Sequence, residues 1–77
     1  MVTCKTKIMI DTIDKIKEFN SKANSFPDID LVSGRYRISA ASLMGIFSLD
    51  VSQPITMEYP AMLHEFIIKE FDKWIID

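Results

Sequence analysis

The chain has 77 residues, of which 48% are apolar and 26% charged, with a net charge of −2. That length makes a single domain spanning 1–77, and the scaling of surface with mass lets it bury roughly 60% of its unfolded surface, enough for one modest core. This balance argues against a disordered chain. A pI near 5.2 argues against nucleic acid as the partner, and no apolar run approaches the ~20 residues of a membrane span. Cys4 is the only cysteine and His64 the only histidine. An internal disulfide is thereby excluded, and no metal or other cofactor is expected. The N-terminus carries no apolar signal core, which predicts a cytoplasmic protein.

Val2 to Ile10 alternates, with Val2, Cys4, Thr6, Ile8 and Ile10 on one side and Thr3, Lys5, Lys7 and Met9 on the other. A period of two with β-branched residues predicts a half-buried strand. Asp11 offers an N-cap oxygen, with Asp14 three residues on as a capping-box variant. Ile13, Ile16, Phe19, Ala23 and Phe26 then recur at helical spacing. They predict an amphipathic helix over about Thr12 to Ser25, ended by Pro27, because a residue before proline avoids the helical region. Asp28 to Val32 and Arg35 to Ser39 alternate again, with Ile29, Leu31, Tyr36 and Ile38 inward. Ser33-Gly34 between them signals a hairpin and so an antiparallel pair.

Ile38 to Leu49 holds no charged residue. Ser42 is a suitable N-cap for a short helix over Leu43 to Leu49. Gly45 inside it costs about 1 kcal/mol against alanine and therefore points to close packing. Asp50 to Pro54 reads as a loop. Ile55, Met57 and Tyr59 alternate with Thr56 and Glu58 as a fourth strand. Pro60 suits the first turn of a last helix, whose apolar face is Leu63, Phe66, Ile67, Phe71, Trp74 and Ile75. The order is β-α-β-β-α-β-α. Strands apolar on one side only predict an α+β fold, an antiparallel sheet with helices over one face.

This order, with an uncharged short helix in that place, resembles the HPr family, the small phosphocarriers of the bacterial sugar phosphotransferase system. The residues that carry the likeness run from Asp28-Ile29-Asp30-Leu31 through Gly34 to Ala41-Ser42-Leu43-Met44-Gly45-Ile46-Phe47-Ser48-Leu49. The family's typical segment there is Lys-Ser-Ile-Met-Gly-Val-Met-Ser-Leu. Ser42, Met44, Gly45, Ser48 and Leu49 match it in identity, and Leu43 and Ile46 in kind. The resemblance implies an open-faced β-sandwich of four antiparallel strands with three helices on one face. It also marks Ser42 as the position of the family's regulatory phosphoserine, and Leu43, Met44 and Phe47 as a docking patch for a protein partner.

The chain departs from the family at the phosphoryl-accepting site. Carriers have Gly-(Leu/Ile)-His-Ala-Arg-Pro between first strand and first helix; here the segment is Ile10-Asp11-Thr12-Ile13-Asp14-Lys15. Thr12 takes the histidine place and Asp14 the arginine place. Two carboxylates in that first turn satisfy the amides themselves and repel phosphate, and a threonine ester lacks the labile P–N bond that makes histidine a carrier.

The resemblance therefore implies a non-enzymatic regulator or adaptor. A phosphocarrier that uses Thr12 or His64, and a purely structural or oligomerising module, stand as alternatives. Several residues also have a plainer reading. Ser42 serves equally as a cap alone, and Leu43, Met44 and Phe47 as partly core. His64 reads as a structural histidine and Cys4 as a small buried hydrophobe. Lys5, Lys7, Arg35 and Arg37 predict a basic exposed sheet face. Residues 1–37 hold seven basic and five acidic groups, against two and six over 38–77.

Overall fold

A computed structural model describes residues 2–26 and 28–76. The strands are β1 (Thr3–Ile8), β2 (Asp30–Ser33), β3 (Tyr36–Ser39) and β4 (Ile55–Pro60). The helices are α1 (Ile13–Ala23), α2 (Leu43–Phe47) and α3 (His64–Glu70). Short 3₁₀ turns, Ala61–Leu63 and Asp72–Trp74, bracket α3. The sheet runs β1-β4-β2-β3 and every pairing is antiparallel. This is the predicted α+β architecture of four antiparallel strands and three helices.

Alternation decides which side of the sheet is covered. Thr6, Ile8, Leu31, Ile55, Met57 and Tyr59 of the strands are buried, as are Ile16, Phe19, Ala23, Ile46 and Ile67 of the helices and Phe71 just after α3. Phe19 of α1 reaches the C-terminal segment, with ring centroids 5.3 Å from Phe71 and 5.4 Å from Trp74. Offset and edge-on aromatic pairs of this kind add to the stabilisation from burial. Lys22–Glu70, at 3.4 Å, and Lys73–Glu18 tie α1 to the C-terminal segment at the surface.

The opposite face stays open, and its charge differs from the basic face expected. Arg37 makes a bidentate pair with Glu58, at 3.1 and 3.2 Å, and reaches Asp30 at 3.3 Å. Lys5 approaches Glu58 at 4.0 Å. The four strands thus share one ion network, and of the four cations only Lys7 and Arg35 stand outside it. The hydrogen bonds from Arg37 hold the Glu58 carboxyl below its ordinary value of 4.5. A carboxyl with a lowered folded pKa adds stability above its unfolded value and loses that contribution as pH falls through the folded one. We therefore expect Glu58→Gln to flatten the fall of the urea midpoint below about pH 4.5 and to leave a smaller difference between acid and neutral pH. An unchanged acid limb would contradict the pairing.

Several boundaries differ from the sequence reading, each for a local reason. The N-cap of α1 is Thr12, whose Oγ1 accepts from the Lys15 N–H at 3.2 Å; Asp11 instead pairs with the Lys15 ammonium at 3.1 Å. The helix ends at Ala23, and Ser25 and Phe26 continue by i→i−3 bonds to Lys22 and Ala23. The expected role of Pro27 lies outside the described residues. Gly34 has φ +60° and no described non-glycine residue has positive φ, the pattern of a two-residue II′ hairpin turn at Gly34-Arg35. Tyr36, expected inward, is 67% exposed because the helical layer does not reach the end of β3. Val2 and Ile13, read as inward-facing, are exposed as well.

The last helix is shorter than its apolar spacing suggests. It stops at Glu70, Phe66 is exposed, and the chain turns back beside β1. There Met9 N–H donates to Trp74 C=O at 2.9 Å, Ile76 N–H donates to Lys7 C=O at 3.0 Å, and Ile8 bridges Ile75. This return covers the outer edge of β1, where unpaired strand groups would otherwise invite association.

Candidate functional site

Ser42, Leu43, Met44 and Phe47 come together because α2 is a single short helix laid against β3 and α1. Ser42 adopts extended backbone angles and its Oγ accepts from the Gly45 N–H at 3.1 Å. Ser42 N–H donates to Ser39 C=O at 3.0 Å, which anchors the helix start to β3. Ile46 is fully buried and Leu49 nearly so, whereas Met44 is 79% and Phe47 43% exposed. Leu43 divides between the two layers, half-buried and packed against the core. The exposed apolar surface of α2 is thus Met44 and Phe47, with Leu43 as its footing.

Gly45 supplies the close approach expected of it. A Cβ there would lie 3.0 Å from Ser42 Oγ and 3.2 Å from Ile38 Cδ1. Gly45→Ala gains up to about 1 kcal/mol of helix propensity but overpacks this contact by about 1–3 kcal/mol. We expect a net loss of about 1 kcal/mol, visible as a lower denaturation midpoint. A stabilised variant would show that the Ser42 hydroxyl and the Ile38 side chain yield to the added methyl. Ser42→Ala is expected to cost a similar ~1 kcal/mol through the cap, and Ser42→Asp, an equally good cap, close to nothing.

Thr12 stands at the start of α1. Its hydroxyl is occupied by the first turn of α1, and among the described residues no hydrogen bond joins it to α2. The same turn carries Asp11 and Asp14, and Lys15 lowers the Asp11 pKa by hydrogen bonding. α1 and the loop before α2 are tied by Asn20 Nδ2 donating to Ala40 C=O at 3.3 Å.

A second polar group has no signal in the sequence. The Tyr59 hydroxyl, in a residue only 1% exposed, bonds both Thr6 Oγ1 and His64 Nδ1 at 2.9 Å. The Tyr59 and His64 rings stack at 5.9 Å. Tyr59→Phe removes both bonds and leaves the buried Thr6 hydroxyl unpaired, an expected loss of about 1–3 kcal/mol. The Thr6→Val/Tyr59→Phe pair should recover much of it in a double-mutant cycle; strictly additive losses would contradict the coupling.

Two open surface depressions among the described residues lie on the sheet. One of about 260 Å³ is lined by Thr3, Asp28, Asp30, Glu58, Tyr59 and Pro60, and one of about 210 Å³ by Lys5, Thr6, Lys7 and Thr56. Among the described residues no three His, Cys, Asp or Glu side chains are placed to hold a metal ion, and no helix is long and apolar enough to cross a membrane. No protein-family model, curated protein or solved structure matches the chain.

Proposed function

We propose that the chain is an HPr-like regulatory or adaptor protein of the cytoplasm. It binds a protein partner through α2 and does not itself carry phosphate. The observation that carries this reading is the exposure of Met44 and Phe47 on a charge-free helix whose other side is packed on the core. Flexible thioether and aromatic side chains suit adaptable protein contacts. The segment from Ser42 to Leu49 is also where the likeness to HPr proteins is strongest. Its nearest precedent within that resemblance is the catabolite-repression homologue, which keeps the serine and lacks the histidine.

Ser42 gates the contact in this reading. Ser42 is an exposed residue two positions from Met44, so a phosphate on it adds a dianion at the rim of an apolar patch. Loss of carrier chemistry is supported by Thr12, which has no imidazole and whose hydroxyl caps α1. It is supported too by the two carboxylates in the same turn, which oppose an incoming phosphate. His64, the one imidazole of the chain, has Nδ1 engaged by Tyr59.

The test compares the wild-type chain with the Met44→Ala/Phe47→Ala and Ser42→Asp variants as baits in lysate of the source cell, with captured proteins identified by mass. The reading predicts a defined partner bound by wild type and lost with the double alanine variant, with Ser42→Asp changing its yield. Equal capture by all three baits would overturn it.

A further inference from the structure

Exposure divides the methionines sharply. Met57 is fully buried in β4 and Met9 is half-buried just after β1, whereas Met44 is 79% and Met62 90% exposed. Thioether sulfur is oxidised where solvent reaches it, so peroxide has access to Met44 and Met62 and not to Met57. Met62 stands in the 3₁₀ turn before α3. Met44 stands on α2, with Phe47 three positions on along the same face. Cys4 is half-buried on β1.

The surroundings of Met44 give oxidation there a consequence. Residues 38–49 hold no charged side chain. The two serines that flank the patch are turned onto the helix itself: Ser42 Oγ accepts from the Gly45 N–H, and Ser48 Oγ donates to the Gly45 C=O. A sulfoxide at Met44 therefore puts a polar acceptor on an otherwise apolar surface. In the free chain, water satisfies it. Beneath the apolar side chains of a partner that water is displaced, and a polar atom buried without a donor opposes the contact. Met44 itself is mostly in water, so the same change spares the core and the fold.

We propose that Met44 is a reversible oxidation site through which hydrogen peroxide switches off the α2 contact. The sulfur lone pair attacks one peroxide oxygen, and an S–O bond forms as the O–O bond breaks. The proton of the attacked oxygen passes to the departing one, which leaves as water. Sulfur gives up two electrons and the peroxide takes them. A methionine sulfoxide reductase, whose thiol pair becomes a disulfide, returns the thioether and releases the oxygen as water. The proposal rests on the α2 reading and adds regulation to it.

The experiment treats the full chain carrying Met62→Leu with hydrogen peroxide, quenches the excess and maps the product by fragmentation. Treated and untreated chains then serve as baits in lysate of the source cell. One oxygen is expected at Met44, with an unchanged urea midpoint. The protein whose capture depends on Met44 and Phe47 should fall by about tenfold or more. Methionine sulfoxide reductase with dithiothreitol should restore it. In the Met44→Leu/Met62→Leu chain, peroxide should leave capture at that chain's own untreated level. Oxygen at Met57 or Cys4 with none at Met44, capture unaffected by a sulfoxide at Met44, or a peroxide loss that persists in the Met44→Leu chain would each overturn the proposal and leave the α2 reading standing. Failure of the untreated chain to capture any protein that Met44→Ala/Phe47→Ala loses would overturn that reading, and the proposal with it.

Discussion

Phe19→Ala is expected to abolish most of the cooperative fold. Phe19 is fully buried and touches Phe71 and Trp74, so the change removes the ring that joins α1 to the C-terminal segment. Truncating a buried phenylalanine to alanine costs about 3–5 kcal/mol through lost transfer energy and the cavity left behind. A chain of this length has a total stability of about 4–12 kcal/mol. Urea denaturation followed by circular dichroism should show a midpoint shifted far down or no native baseline. A loss below about 1 kcal/mol would mean that the aromatic cluster is not the centre of the core. The β1 edge should loosen at the same time, because Trp74 both packs on Phe19 and accepts from Met9 N–H. Faster exchange at Met9 is the specific sign.

Met44→Ala/Phe47→Ala should do the reverse, keeping the fold and losing the proposed partner contact. Both side chains are exposed, so the midpoint should move by less than about 1 kcal/mol. If the pair anchors a partner, its removal should weaken that complex by about 2 kcal/mol or more, roughly thirtyfold. A titration against the partner captured by wild type, with the midpoint measured on the same sample, separates the two effects. Weakened binding together with a collapsed midpoint would assign Met44 and Phe47 to the core instead.

How far the molecule could be read in advance depended on whether the deciding interaction was local. Alternation along β1, β2 and β4 placed Ile8, Leu31 and Met57 correctly, because sheet faces follow a strict period of two. Gly45 announced a close approach because nothing else explains a glycine in the middle of a helix, and Ile38 is what it approaches. Where two neighbours could both cap, propensity did not choose: Asp11 and Thr12 are both good caps, and the pull of the Lys15 ammonium takes Asp11 away.

The end of α3 was illegible for a different reason. No glycine or proline follows Glu70, and the apolar spacing continues through Trp74 and Ile75. The helix gives way where Trp74 C=O and Ile76 N–H bond Met9 and Lys7, a segment far earlier in the chain, on either side of the Ile8–Ile75 bridge. Tyr36 looked inward by alternation, but coverage depends on where the helical layer stops. At the candidate site, the Ser42 cap was readable from its own neighbourhood. The exposure of Met44 against the half-burial of Leu43 depends on the angle at which α2 meets β3, and the Thr6–Tyr59–His64 chain depends on the turn between β4 and α3.

We propose that the chain presents an HPr-like surface and does not carry phosphate. Phosphorylation with two donors, read by intact mass and mapped by fragmentation, tests it most directly. One donor is phosphoenolpyruvate with enzyme I, the other ATP with HPr kinase. We expect no transfer from phosphoenolpyruvate and one phosphate from ATP, at Ser42. Transfer of phosphate from phosphoenolpyruvate to Thr12 or His64 would contradict it and make the chain a carrier.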